Sequence, residues 1–134
     1  MNLVDLSMGN CEFPTVRIDS RSSELIEINE GDSISLKCIG YGLPKPIIIW
    51  NTSLLQSNFS LENSPADIES KAEQTLNIYE ASQDDNLVLY CDAENTVGRS
   101  TTKIALMIRC RYFIMNCFFR LPYGLKLFFS LHYS

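Results

Sequence analysis

Short runs of alternating apolar and polar residues fill the middle of the chain, separated by clusters of turn-forming residues. Glu24-Leu25-Ile26-Glu27-Ile28 leads through Asn29-Glu30-Gly31-Asp32 into Ser33 to Ile39, where Ile34, Leu36 and Cys38 alternate with Ser33, Ser35 and Lys37. A period of two predicts strands with one face buried and the other wet. Gly40 to Pro46, which includes Gly40-Tyr41-Gly42, is expected to be a loop, because glycine and proline interrupt regular structure. Ile47-Ile48-Ile49-Trp50 is a β-branched run ending on the only tryptophan. Gln74 to Glu80 turns Leu76 and Ile78 inward, and Leu87 to Ala93 puts Leu87, Leu89, Cys91 and Ala93 on one face. Asn95-Thr96-Val97-Gly98 reads as a hairpin turn into Arg99 to Ile108. No helical period is sustained anywhere, so the expected class is all-β, a sandwich of two antiparallel sheets. The chain divides into three zones: a short lead at 1–14, the sandwich at 15–108 and a hydrophobic extension at 109–134.

Composition narrows the function classes. The 134 residues suit one domain, and 46% apolar against 20% charged is enough to fill a core. Seven Lys and Arg against sixteen Asp and Glu before residue 109 give that body −9, whereas the last 26 residues carry +4. An acidic body argues against nucleic acid as partner, because phosphates recruit Lys and Arg. Five cysteines, at 11, 38, 91, 110 and 117, are an odd number, so at least one is unpaired within the chain. With no CxxC pair and His132 alone in the tail, no metal or cofactor is expected. The opening MNLVDLSMGN has neither a cationic start nor an apolar core, so it does not read as a signal peptide.

Cys38 lies on the second core strand, Trp50 twelve residues later and Cys91 on the penultimate strand. Leu76-Asn77-Ile78, the Asp85 turn and Ala93-Glu94-Asn95-Thr96-Val97-Gly98 come in the matching order. This pattern resembles the intermediate-set immunoglobulin domains of cell-surface receptors and adhesion proteins. The resemblance implies a Cys38–Cys91 disulfide with Trp50 packed against it, and a core that includes Leu36, Leu76 and Leu89. Such a bridge closes a loop worth about 4 kcal/mol in the chain-entropy model. One place departs from the pattern: where a corner tyrosine is usual, two residues before the second cysteine, stands Leu89, with Tyr90 one residue late.

Asn10-Cys11-Glu12-Phe13-Pro14, Glu30-Gly31-Asp32-Ser33-Ile34-Ser35-Leu36-Lys37-Cys38, Pro44, Pro46, Asp84-Asp85 and Cys91 through Gly98 narrow the match. The chain is similar, over residues 1 to about 108, to the first immunoglobulin domain of Trk-type neurotrophin receptor tyrosine kinases, joined to the end of a leucine-rich-repeat cap. That domain also lacks the corner tyrosine. The resemblance implies that Cys11 closes the cap with a partner upstream of Met1, and that the parent protein is a glycoprotein on the outer side of the plasma membrane. It also implies that the kinase lies outside this chain and that growth-factor contact is made mainly by a second immunoglobulin domain. No ligand-contact residue is therefore carried over.

Individual features fill in the reading. With Trp50 and Cys91 inward, Ile47, Ile49, Val88 and Tyr90 should project from the outer face of one sheet, a candidate partner face. The competing reading is scattered surface residues or a covering loop. Asn51-Thr52-Ser53 and Asn58-Phe59-Ser60 are glycosylation sequons in a polar stretch after the tryptophan strand. Asp84-Asp85 reads as an acidic turn, with Asp85 expected to pair a base such as Lys71, rather than as a catalytic pair. Tyr112 to Phe119 is apolar for only eight residues, and Arg120, Pro122 and Lys126 interrupt the remainder of the tail. A membrane span needs about 20 such residues, so spanning is not favoured; an interfacial anchor through Arg111, Arg120 and Lys126 is the other membrane reading. The expected role is binding, not catalysis: a receptor ectodomain module whose partners are protein ligands or neighbouring domains. The alternatives are a leucine-rich-repeat and immunoglobulin adhesion protein without a kinase, or an intracellular structural domain in which Cys38 and Cys91 stay reduced.

Overall fold

The computed structural model describes residues 11–20, 24–65, 68–110, 117–120 and 126–129. Eight strands build two facing sheets: β1 (Glu12–Asp19), β2 (Leu25–Asn29), β3 (Ile34–Leu43), β4 (Ile47–Asn51), β5 (Asn58–Asn63), β6 (Lys71–Tyr79), β7 (Leu87–Glu94) and β8 (Arg99–Arg109). The first sheet runs β1-β3-β6-β5 and the second β2-β8-β7-β4. All neighbours are antiparallel except β2 and β8, which run parallel. The N-terminal chain thus serves both sheets, edging the first as β1 and the second as β2. In the extension, β9 (Cys117–Arg120) and β10 (Lys126–Phe129) pair antiparallel as a separate ribbon. The expectation for Tyr112 to Asn116 lies outside the described residues, as does that for residues 1–10. No helix among the described residues is long and apolar enough to cross a membrane.

The predicted alternation holds where it was sharpest. Leu36, Cys38, Leu76, Ile78, Leu89, Cys91 and Ala93 are buried between the sheets with Trp50, Ile104 and Ile108. Burying such side chains stabilises by about 1.5–3 kcal/mol each, which is why register is set by the core face. Cys38 and Cys91 are bonded, Cα to Cα 6.6 Å, joining β3 of one sheet to β7 of the other. Trp50 is the cross-strand partner of Cys91, and its indole nitrogen donates to the Gln74 carbonyl of the opposite sheet at 3.1 Å. That bond satisfies the one polar atom of a buried indole.

Three boundaries differ from expectation. The stretch Gly40 to Leu43 is not a loop but the end of β3, and its glycines serve close packing. A Cβ on Gly40 would stand 2.6 Å from Ile48 Cδ1 and 2.9 Å from Ala93 Cβ, so only hydrogen fits. Strand β1 starts at Glu12, which pairs with Leu43, three residues before the expected start of the sandwich at residue 15. The polar stretch that carries the second sequon is itself a strand, β5, paired with β6 in the first sheet.

Candidate functional site

The two sheets expose unlike outer faces. On β1-β3-β6-β5 a polar mesh links β3, β6 and β5, and Tyr41 and Tyr79 are exposed beside it. The Asn77 carboxamide accepts from Ser35 and donates to Ser60 at 3.3 Å, and Ser60 shares a 2.9 Å bond with the Tyr79 hydroxyl. Glu73 takes Lys71 at 3.1 Å and Lys37 at 3.7 Å. The Lys71 hydrogen bond holds the Glu73 carboxyl below the usual glutamate range, against the opposing effect of burial, and Lys37 adds to it. The same bond raises Lys71.

On β2-β8-β7-β4 strand pairing places outward residues in rows. Ile49 lies beside Asp92 and Thr101; Asn51 beside Tyr90 and Lys103; Val88 beside Ala105 and Leu25; Met107 beside Glu27. Ile47, Ile49, Val88 and Tyr90 are all exposed, Ile47 at 67% and Tyr90 at 42%. The structure therefore brings all four onto one face, as their parity requires. It adds Leu25 and Met107, which are exposed on the same face. The parity rule could have found both had it been applied to β2 and β8 as well.

Ion pairs lie at both ends of this face, and Lys103 is exposed in its middle. Arg99 pairs Asp92 at 3.5 Å and Glu94 at 3.1 Å at one end, and Arg109 pairs Glu27 at 3.6 Å at the other. Between them a shallow groove of about 580 Å³ runs past Val88, Tyr90, Thr101, Lys103 and Ala105. The exposed apolar side chains of this face are interleaved with polar ones, Lys103 among them, and exposed apolar surface of this kind is a candidate protein contact. Its shallow form suits a flat surface rather than an enclosed substrate.

Three other expectations resolve here. Asp85 does not pair Lys71, whose partner Glu73 is two residues away on its own strand. Asp85 is instead fully buried at the end of a 3-10 turn (Gln83–Asp85), accepting from the Gln56 and Ser57 amides, the Ser57 hydroxyl and the Ser82 amide. Backbone donors replace a cation there. Leu89 is buried and Tyr90 exposed, so no hydroxyl occupies the usual corner position. Asn51 and Asn58 are both exposed, in different settings: Asn51 ends β4, and Asn58 begins β5.

One residue that sequence reasoning did not single out organises the pole where the chain enters. Asn95 donates to the Glu12 carbonyl at 3.0 Å and to that of Pro44 at 2.9 Å, and it accepts from the Val97 and Gly98 amides at 2.8 and 3.2 Å. It ties β1, the turn before β4 and the β7–β8 hairpin together. Its place in an Asn-x-x-Gly hairpin was the available signal.

Comparison with known proteins agrees with this architecture. The model of the immunoglobulin I-set domain matches residues 16–108. The BDNF/NT-3 growth factors receptor of Gallus gallus is 32% identical over 108 residues, and the NT-3 growth factor receptor of Homo sapiens 30% over 107. Each alignment takes in 79% of this chain but only 12% of the relative. The N-terminal eight immunoglobulin domains of Down Syndrome Cell Adhesion Molecule share the fold at TM-score 0.60 and 21% identity, over 73% of this chain and 13% of that one. The bridged sheets, the buried tryptophan and these matches agree: the chain belongs to the immunoglobulin I-set domain family, in a form similar to that of the neurotrophin receptors.

Proposed function

We propose that this chain is a partner-binding module of a neurotrophin-type receptor ectodomain, and that it binds through the outer face of β2-β8-β7-β4. The observation that carries the reading is the gathering of exposed apolar side chains on that one face, Leu25, Ile47, Ile49, Val88, Tyr90 and Met107, with ion pairs at its ends. The similarity to growth-factor receptors supports the receptor context, and the Cys38–Cys91 bridge fits an oxidising compartment. The module presents a rigid surface to a protein ligand or to neighbouring receptor domains; the chemistry of signalling belongs elsewhere in the parent protein.

The test is a titration of the immobilised chain with NT-3, BDNF and the ectodomains of the similar receptors. Saturable binding to at least one of them is expected. Flat responses across the whole set contradict the reading. An adhesion protein without a kinase is the other receptor-like reading, and transcripts extending beyond both ends separate the two: a kinase sequence in frame supports the first, and an in-frame stop without one supports the second.

A further inference from the structure

Each sheet of the sandwich ends in strands whose outer hydrogen-bonding edge has no neighbour among the described residues: β1 and β5 in one, β2 and β4 in the other. Such edges invite another chain to pair, and natural proteins block them with charge or proline. Three of the four obey that rule: β1 carries Pro14, Arg17 and Asp19, β2 carries Glu27, and β5 carries Glu62. Strand β4, Ile47-Ile48-Ile49-Trp50-Asn51, has neither within it. Its sequence is β-prone and uncharged, and Ile47 and Ile49 are exposed, so it is the edge most open to self-pairing.

What β4 does have is Asn51 at its end. There the chain makes a tight turn in which Asn51 Oδ1 accepts from the Ser53 amide at 3.1 Å and from the Ser53 hydroxyl at 2.8 Å. The sequon hydroxyl thus engages the asparagine oxygen, the site is exposed, and no described group binds the Asn51 nitrogen. The second sequon differs. Asn58 is held in the β5 ladder opposite Tyr79, and the Ser60 hydroxyl is taken by Tyr79 and Asn77. Both asparagines are exposed, but only Asn51 stands in a turn at the end of the unguarded edge strand.

We propose that Asn51 carries an N-linked oligosaccharide and that this glycan guards the β4 edge. The reaction joins the Asn51 side-chain nitrogen to the anomeric carbon of a lipid-pyrophosphate-linked oligosaccharide. One C–N bond forms, the anomeric C–O bond breaks, the lipid pyrophosphate leaves, and the amide proton passes to a base of the transferase. A hydrated glycan at the end of β4 keeps a second copy from lying alongside the strand. The inference rests on the export reading above.

The test secretes the full chain from animal cells behind an added leader, then maps site occupancy by mass and reads oligomeric state by light scattering. Asn51 should be occupied and the protein monomeric. Ser53→Ala and Asn51→Gln, which both destroy the sequon, should shift the protein to dimer or larger mass. Asn51→Asp, which loses the glycan but places a charge on the edge, should stay monomeric, and Ser60→Ala should match the wild type. An unoccupied Asn51, or sequon variants that stay monomeric while folded by tryptophan fluorescence, would overturn the proposal. Self-association of Ser60→Ala to the same degree would do so too. Because the leader supplies export, these outcomes bear on the glycan alone. Cys38 and Cys91 found reduced in chain taken from its native cells would instead count against the export reading.

Discussion

Asn95 uses both ends of its carboxamide, and every partner is a backbone group near the entry pole. Asn95→Ala leaves two amides and two carbonyls to find water at a half-buried site, a loss of about 1–3 kcal/mol. Urea unfolding monitored by tryptophan fluorescence should show a lower midpoint with unchanged slope; an unchanged midpoint would mean that the pole is held without it. Residue-scale detail of this kind was only partly legible. Cys38, Trp50 and Cys91 could be placed because their chemistry is rare and their order specific. The partner of Asp85 could not: its charge suggested a cation, yet it is met by backbone amides whose approach depends on how the 3-10 turn packs against residues 56 and 57. The Lys71 partner lay two residues along its own strand, on the same face, where alternation could have pointed to it.

Among the elements, β3 and β6 carry the clearest electrostatic coupling, through Glu73 with Lys71 and Lys37. Since the folded state lowers the Glu73 pKa from 4.5, the unfolded chain binds the proton more readily. The stabilisation is therefore complete above that value and fades as the pH falls through the lower folded pKa. Lys71 behaves in the opposite sense: its contribution is full below its ordinary 10.5 and is lost as the pH rises through the raised folded value. Glu73→Gln should flatten the acid limb of thermal stability below about pH 4.5 relative to the wild type. Parallel acid limbs would show that the cluster contributes nothing, as many exposed pairs do. Elements with one buried and one wet face were legible from their period, whereas β5 was not. Asn58-Phe59-Ser60-Leu61-Glu62-Asn63 is a half-exposed edge whose composition resembles a loop. The end of β3 was hidden for another reason: Gly40 reads as a breaker, but it is there so that Ile48 and Ala93 can approach.

For the molecule as a whole, stability lies in the bridged core, and the proposed binding role in one outside face. Replacing Cys38 and Cys91 together by alanine should cost about 4 kcal/mol from loop entropy alone, the bridge spanning 53 residues. A guanidinium midpoint close to that of the oxidised wild type would contradict that cost. The candidate face was legible from the parity of Ile47, Ile49, Val88 and Tyr90, and the same parity along β8 and β2 extends it to Met107 and Leu25; that β2 pairs parallel to β8 in this sheet was not legible. The wet face of β3 was legible from Ser33, Ser35 and Lys37, but the bonds that knit it to β6 and β5 were not, because they join strands distant in sequence. The central claim is that partners read one face and not the other. Its most direct test compares the wild type with Val88→Arg, Tyr90→Ala and Ser35→Arg for binding to whichever receptor ectodomain or growth factor the titration identifies. Tyr90→Ala should weaken binding by about 2 kcal/mol, roughly thirtyfold in Kd, Val88→Arg should abolish it, and Ser35→Arg should leave it intact. Binding that survives Val88→Arg and is lost in a folded Ser35→Arg would place the partner on the other sheet and contradict the account.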